Sequence, residues 1–216
     1  LGRYSDTVET FGLDTIADIV GGDAGADNRG TRVGGLIADM QIKQSRKDGR
    51  SFAILTLDGL HASIECLVFA DAYEKHGAML ETGQCVFIEG AIQNRDGDRP
   101  KIVANQVHPI ESVPETFTRE VHVHLYEATT GQEAMQQARD LFAGTPGETP
   151  VVLCVVCASG AIAFVAPDDL RIRNTAVLRQ RLRDLFGEES VVQKPNRERP
   201  AVKPRRRPSK NHAAAA

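Results

Sequence analysis

Five strand-like runs, joined by tight polar turns and interrupted by one short helix, occupy residues 31–111, and no other feature of the chain restricts its fold as strongly. Arg32–Gln44 is the first run and contains the pair Gly34-Gly35, which predicts a bulge or sharp bend. Ser45–Arg50 is a polar turn with Asp48-Gly49, a strong hairpin signal. Ser51–Asp58 and His61–Phe69 follow as the second and third runs, joined at Asp58-Gly59-Leu60. In the third run Ile64, Cys66 and Val68 alternate with Glu65, Leu67 and Phe69, the period-2 pattern of a strand with one buried face. Asp71–Leu80 reads as a short amphipathic helix. Gln84–Gln93 and Pro100–Ile110 are the fourth and fifth runs, with the polar turn Asn94–Arg99 between them.

A β-β-β-α-β-β order of this kind is the plan of an OB fold, a five-stranded barrel. The sequence predicts an antiparallel sheet that closes on itself, removing its edges, with the helix plugging one end.

The flanks are organised differently. Residues 1–30 read as a helical connector, with apolar positions Tyr4, Val8, Phe11, Ile16 and Val20, and then a Gly/Asp/Asn-rich linker. Val113–Arg119 reads as a second linker, containing Pro114. Residues 119–193 predict a small α/β domain. Its strand Glu120–Glu127 has Val121, Val123 and Leu125 on one face, and its helix is Gly131–Phe142. A turn at Thr145–Pro150 precedes a hairpin of Val151–Val156 and Ala161–Val165 around Ser159-Gly160. Leu170–Arg173 reads as one more strand and Thr175–Phe186 as a helix with the stripe Leu178, Leu182 and Leu185. Ser190–Val192 is a last short strand. Residues 194–216 read as a basic disordered tail.

Charge narrows the function classes. The net charge is −3, but from Lys194 onward eight Lys or Arg face one acid, Glu198, so the tail is +7 and the body −10. An acidic body excludes broad coating of nucleic acid, and any such binding must use a local basic feature. No apolar run approaches the length of a membrane span, and no secretory pattern opens the chain. Cys66, Cys85, Cys154 and Cys157 lie in apolar strand-like runs, which predicts reduced, buried thiols in a cytoplasmic protein. A chain that opens on Leu1 reads as a fragment or a processed product.

Several of these segments resemble one family. Arg32-Val33-Gly34-Gly35-Leu36-Ile37, the basic turn Arg46–Arg50 and Phe52–Asp58 resemble the opening of the OB domain of the bacterial DNA polymerase III alpha subunit. Ile64–Phe69 followed by Tyr73-Glu74-Lys75, and then Val86–Gly90, are similar to that domain's third strand, helix and fourth strand. Leu1–Val20 is similar to the connector before it. Arg171-Ile172-Arg173 ahead of a Leu-rich helix resembles the small terminal domain of many members. The turn Asp58-Gly59-Leu60-His61 is shorter than the family's pattern. The resemblance implies a C-terminal region of a polymerase, not itself catalytic. The metal-holding carboxylates would lie upstream, and the sequence predicts no catalytic, metal or cofactor site. It also implies three partners: single-stranded DNA template, the rest of the polymerase chain, and the clamp-loader tau subunit through the terminal domain.

Two cation clusters are the candidate contacts. Lys43, Arg46, Lys47 and Arg50 surround the turn between strands one and two, and in the resembling family this turn is implicated in holding template. Arg95, Arg99 and Lys101 surround the turn between strands four and five, diluted by Asp96 and Asp98. OB folds commonly bind through these two loops, and each neutralised phosphate releases counterions. Phe52, Phe69 and Phe87 are candidate stacking platforms, facing outward if their neighbours face the core. A one-residue slip would reverse them, and core or interdomain packing is the competing role.

Cys154-Val155-Val156-Cys157 lacks a second Cys pair, and its thiols fall on opposite strand faces. His122 and His124 share a face, but no third ligand is apparent, so both pairs read as structural. The pairs Leu141-Phe142 and Leu185-Phe186 read as core. The tail either touches DNA nonspecifically or serves as a solubilising terminus. Two other readings compete: a protein-interaction OB module, and an RNA-binding OB domain of an aminoacyl-tRNA synthetase.

Overall fold

The structure, a computed structural model, describes residues 2–22, 28–94, 99–128 and 130–202. Two short helices come first, α1 (Ser5–Phe11) and α2 (Ile16–Gly21). Thr15 caps α2, its hydroxyl accepting from the Asp18 N–H at 3.0 Å. Strands β1 (Gly30–Gln44), β2 (Ser51–Asp58) and β3 (Ser63–Val68) lead into helix α3 (Ala70–His76) and a 3-10 turn. Strands β4 (Cys85–Gln93) and β5 (Lys101–Pro109) complete a closed barrel in the order β1-β2-β3-β5-β4.

Closure depends on β1, which pairs with β4 through its first half and with β2 through its second. The register shifts between Ile37 and Asp39, so the bulge lies beyond the glycine pair that was expected to make it. Gly34 and Gly35 instead admit close neighbours. A Cβ on Gly34 would meet Val8 at 2.6 Å, and one on Gly35 would meet Leu57 at 2.5 Å. One seam also departs from the antiparallel expectation: β3 and β5 pair parallel, Cys66 opposite Ile102. The barrel is filled by the alternating inward residues, among them Leu55, Leu57, Ile64, Val68, Ile88 and Ile102. Cys66 is among them, and burial pushes its thiol up to about 12. Among the described residues the cysteines are free, but only Cys66 is fully buried.

Both ends are sealed by helices. Ala72 of α3 enters the core beyond β3, as the sequence predicts. Ile16 and Ile19 of α2 join the same core, with Ile16 against Gly59 in the β2–β3 turn. The connector is therefore part of the barrel's packing. Gly90 sits at a second register shift, between β4 and β5, where an added Cβ would lie 2.2 Å from the Val103 carbonyl oxygen. Because that neighbour is backbone, Gly90→Ala is expected to cost about 1–3 kcal/mol, measured by urea unfolding.

Residues 113–119 form no linker. Helix α4 (Val113–Phe117) follows a 3-10 turn, and Val113, Pro114 and Phe117 are buried. Val113 and Phe117 make an apolar cluster outside the barrel wall with Phe11, Phe87 and Ile110. The chain then enters β6 (Thr118–Tyr126), α5 (Gln132–Gly144), β7 (Pro146–Thr149), β8 (Val151–Cys157), β9 (Gly160–Val165), α6 (Ala176–Phe186) and β10 (Val191–Pro195). The second sheet has the order β10-β6-β8-β9, with β6 and β8 parallel. Residues of α5 and α6 cover the face bearing Val121, Val123 and Leu125. Pro146–Thr149 is a strand where a turn was expected, bridged to Ile172. Leu170–Arg173 is a 3-10 turn plus that bridge, not a strand of the sheet. Buried Asn174 donates to the Pro114 carbonyl at 3.0 Å and to Thr118 Oγ1 at 2.9 Å, tying α4 to the second unit.

The described part of the basic tail, residues 194–202, makes contacts with the rest of the chain. Lys194 and Pro195 belong to β10, and the chain then returns over the barrel. Asp14 gathers Arg29 and Arg199, each at 2.7 Å, and the Thr31 hydroxyl at 2.6 Å. Burial raises the Asp14 carboxyl, but these donors outweigh it and hold the group below the usual carboxylate range. Arg32, 3% exposed, donates to the Asn196 and Glu198 carbonyls at 2.9 and 3.3 Å and pairs with Glu89 at 3.2 Å. Its guanidinium lies 3.9 Å from the centre of the Phe117 ring. Among the tail's described cations, Arg197 donates to the Gly12 carbonyl at 2.6 Å and Arg199 to Asp14. Residues 203–216 lie outside the described residues.

Candidate nucleic-acid interface

The outer face of β1, β2 and β3 is set by the pleat. Because Ala53, Leu55 and Leu57 point inward, Phe52, Ile54 and Thr56 point out. Cross-strand register then places Gln41 beside Ile54 and Lys43 beside Phe52 on β1, and Leu67 beside Ile54 on β3. Phe69, the residue after β3, is 47% exposed, and its ring centre lies 6.1 Å from that of Phe52, tilted by 40°. Two aromatic rings and a lysine therefore share one open surface.

The β1–β2 hairpin extends this surface. Ser45 and Arg50 close it, the Ser45 N–H donating to the Arg50 carbonyl at 2.9 Å, and Gly49 supplies the left-handed turn position (φ +70°). The Ser45 hydroxyl and the Arg50 N–H hold the Asp48 carboxyl below its ordinary range, so the tip carries one fixed negative charge. Lys43, Arg46 and Lys47 are exposed and make no ion pair among the described residues. Arg50 differs: it pairs with Asp71 at 2.8 Å and Glu74 at 2.9 Å, which turns it toward α3. The Arg50 hydrogen bond, chiefly, lowers the Glu74 carboxyl. Arg50 is thus a brace between hairpin and helix, leaving three uncommitted cations.

The second cation cluster is not assembled to the same degree. Lys101 begins β5 and pairs with Glu65 at 2.7 Å. Arg99 is exposed, and Arg95 lies outside the described residues. Phe87 is removed from the stacking candidates. It does point out of the barrel, between inward Val86 and Ile88, but it is fully buried beneath α1 and α4, 5.8 Å from the Phe117 ring. Its packing role follows from a cover formed by residues far away in sequence.

A cleft of about 290 Å³ adjoins the aromatic pair. Phe69, Lys75, Gln93, Asn105, Gln106 and Val202 contribute to its wall. Sequence reasoning missed Lys75, Asn105 and Gln106. The period-2 pattern of β5 marked Asn105 and Gln106 as a polar interruption, but nothing local aims Lys75 of α3 toward β5. A surface with cations, stackable rings and amide side chains suits a flexible polyanion with exposed bases.

Residues 31–110 match the tRNA anti-codon family model, described as an OB-fold nucleic acid binding domain. The chain is 33% identical over 111 residues to the DNA polymerase III subunit alpha of Saccharopolyspora erythraea, covering 51% of this chain and 8% of that protein. It is 24% identical over 193 residues to the same-named subunit of Pseudomonas fluorescens, covering 88% of this chain and 16% of that protein. The chain therefore spans only a small part of these relatives. A mitochondrial single-stranded DNA binding protein of S. cerevisiae superposes with a TM-score of 0.33 at 13% identity, over 38% of this chain and 96% of that one.

Proposed function

We propose that this chain, an OB-fold nucleic-acid-binding domain followed by a small α/β unit, is the template-holding and partner-docking region of a replicative DNA polymerase catalytic subunit. The observation that carries the reading is the Phe52–Phe69 pair flanked by Lys43, Arg46 and Lys47 on the barrel face that OB folds use for oligonucleotides. Bases of single-stranded DNA stack on the rings while the hairpin cations track phosphates. Lys75 and Arg99 extend the track. The chain itself carries no nucleotidyl transfer in this reading, and the polymerase active site belongs to another part of the parent protein. The parent works in the cytoplasm.

The second unit holds a partner protein, with the clamp-loader tau subunit as the first candidate. Its edge strand β9 supports this role, since Ile162, Phe164 and Val165 are 57%, 54% and 72% exposed. An open, apolar edge is a surface that soluble proteins usually cover.

Fluorescence anisotropy with a labelled oligonucleotide tests the DNA reading. Single-stranded DNA is expected to bind with Kd on the order of micromolar, weakening steeply with salt. The triple change Lys43→Ala, Arg46→Ala and Lys47→Ala should lower the slope of log K against log salt by about 2, at roughly 0.7 per lost phosphate contact. An unchanged slope removes the hairpin from the interface. No binding by the unaltered chain favours the protein-interaction module, and preference for RNA stem-loops favours the synthetase-type domain.

A further inference from the structure

The face of the second sheet opposite α5 and α6 gathers three metal-ligating side chains that the DNA reading does not use. We propose that His122, His124 and Cys154 form a site for a thiophilic divalent transition metal, Zn²⁺ foremost, with its fourth position open. His122 and His124 are two apart on β6 and so point to the same side. The parallel register of β6 and β8 sets Cys154 directly opposite His124. One ligand atom from each lies within 4.8 Å of the others.

One edge of the cluster is close to what a tetrahedral ion imposes. Zn–S and Zn–N bonds of about 2.3 and 2.0 Å put the S···N edge at about 3.5 Å. His122 Nδ1 and Cys154 Sγ are 3.7 Å apart. The other ring nitrogen, Nε2, lies 3.0 Å from Glu120 Oε1. With Nε2–H donating to that carboxylate oxygen, the Nδ1 lone pair is left facing the sulfur. A carboxylate behind a histidine is the arrangement that orients imidazole ligands at zinc centres. All three ligand residues are partly exposed, so an ion has a path from solvent. One thiolate and two imidazoles select zinc or cobalt over Mg²⁺ and Ca²⁺, which prefer all-oxygen shells. Binding displaces the Cys154 thiol proton to solvent, and the metal takes the sulfur as thiolate. Water occupies the fourth corner unless a partner supplies a ligand.

The test uses the full chain, stripped with chelator and titrated with Co²⁺ and separately with Zn²⁺. One equivalent should bind, and cobalt should give a near-ultraviolet thiolate-to-metal charge-transfer band that Zn²⁺ abolishes. Cys154→Ser should eliminate the band and Cys157→Ser should keep it. His124→Ala should weaken Zn²⁺ binding at least tenfold, and Glu120→Gln about tenfold. Circular dichroism establishes that each variant is folded, and His124→Ala carries the decision if Cys154→Ser is not. Absence of the band in the unaltered chain, or its persistence in folded Cys154→Ser, overturns the site. So does unweakened Zn²⁺ binding by folded His124→Ala.

Discussion

Arg32→Ala is expected to destabilise the chain by about 3–5 kcal/mol, the range for breaking a buried ion pair by removing one partner. The size follows from what Arg32 touches. Its guanidinium serves Glu89, two carbonyls of the returning C-terminal segment and the face of Phe117 at once. Removal leaves the partly buried Glu89 carboxylate beside His108 Nε2, at 3.5 Å, without its guanidinium partner. His108, then Arg32, is what keeps Glu89 below the ordinary range against burial. Urea unfolding should show a lower midpoint, and limited proteolysis should cut residues 196–202 faster. Arg32→Lys should recover little, since an ammonium cannot reproduce the planar fork and the ring stacking. Adding Glu89→Gln to Arg32→Ala should restore part of the loss, because the stranded charge is then gone. A loss under about 1 kcal/mol for Arg32→Ala would show that this junction does not hold the two units together.

Phe87→Ala should cost about 3–5 kcal/mol while leaving the DNA affinity of the folded protein unchanged. The ring is fully buried between the barrel wall and the cluster of Phe11, Ile110, Val113 and Phe117. Truncation leaves a cavity that α1 and α4, anchored elsewhere, cannot fully collapse into. Phe52→Ala separates stability from binding in the opposite way. Phe52 is only partly buried, so its removal should barely move the urea midpoint but weaken oligonucleotide binding by about 1–3 kcal/mol per lost base stack. If Phe87→Ala weakened DNA binding in the folded protein, its assignment to packing would fail.

The contrast between these phenylalanines marks how far the sequence is legible. Period-2 alternation is a local property of each strand. It correctly turned Phe52, Phe69 and Phe87 away from the barrel centre. Whether an outward ring meets solvent depends on elements that fold over it later. For Phe87 those are α1 and α4, and α4 was read as linker because five residues around a proline carry too little pattern to signal a helix. Arg50 teaches the same about charge. Its place in a basic turn was plain, but its pairing with Asp71 and Glu74 needed the distance between hairpin and α3. The basic composition from Lys194 suggested a disordered tail, and among its described residues Arg197 reaches the Gly12 carbonyl and Arg199 reaches Asp14, each 185 residues earlier.

The sequence by itself determined the succession of strands and helix along the barrel block, its inward and outward residues, the turn that carries the hairpin cations and the sites of α3 and α6. Those depend on backbone period and turn chemistry, which act over a few residues. Only the tertiary structure decided which outward groups remain available and which distant groups meet. Cover over Phe87, the neutralised Arg50, the docked residues 196–202 and the alignment of Cys154 with His124 all depend on long-range register and packing. Such contacts join residues separated by tens to hundreds of positions, so no local pattern encodes them.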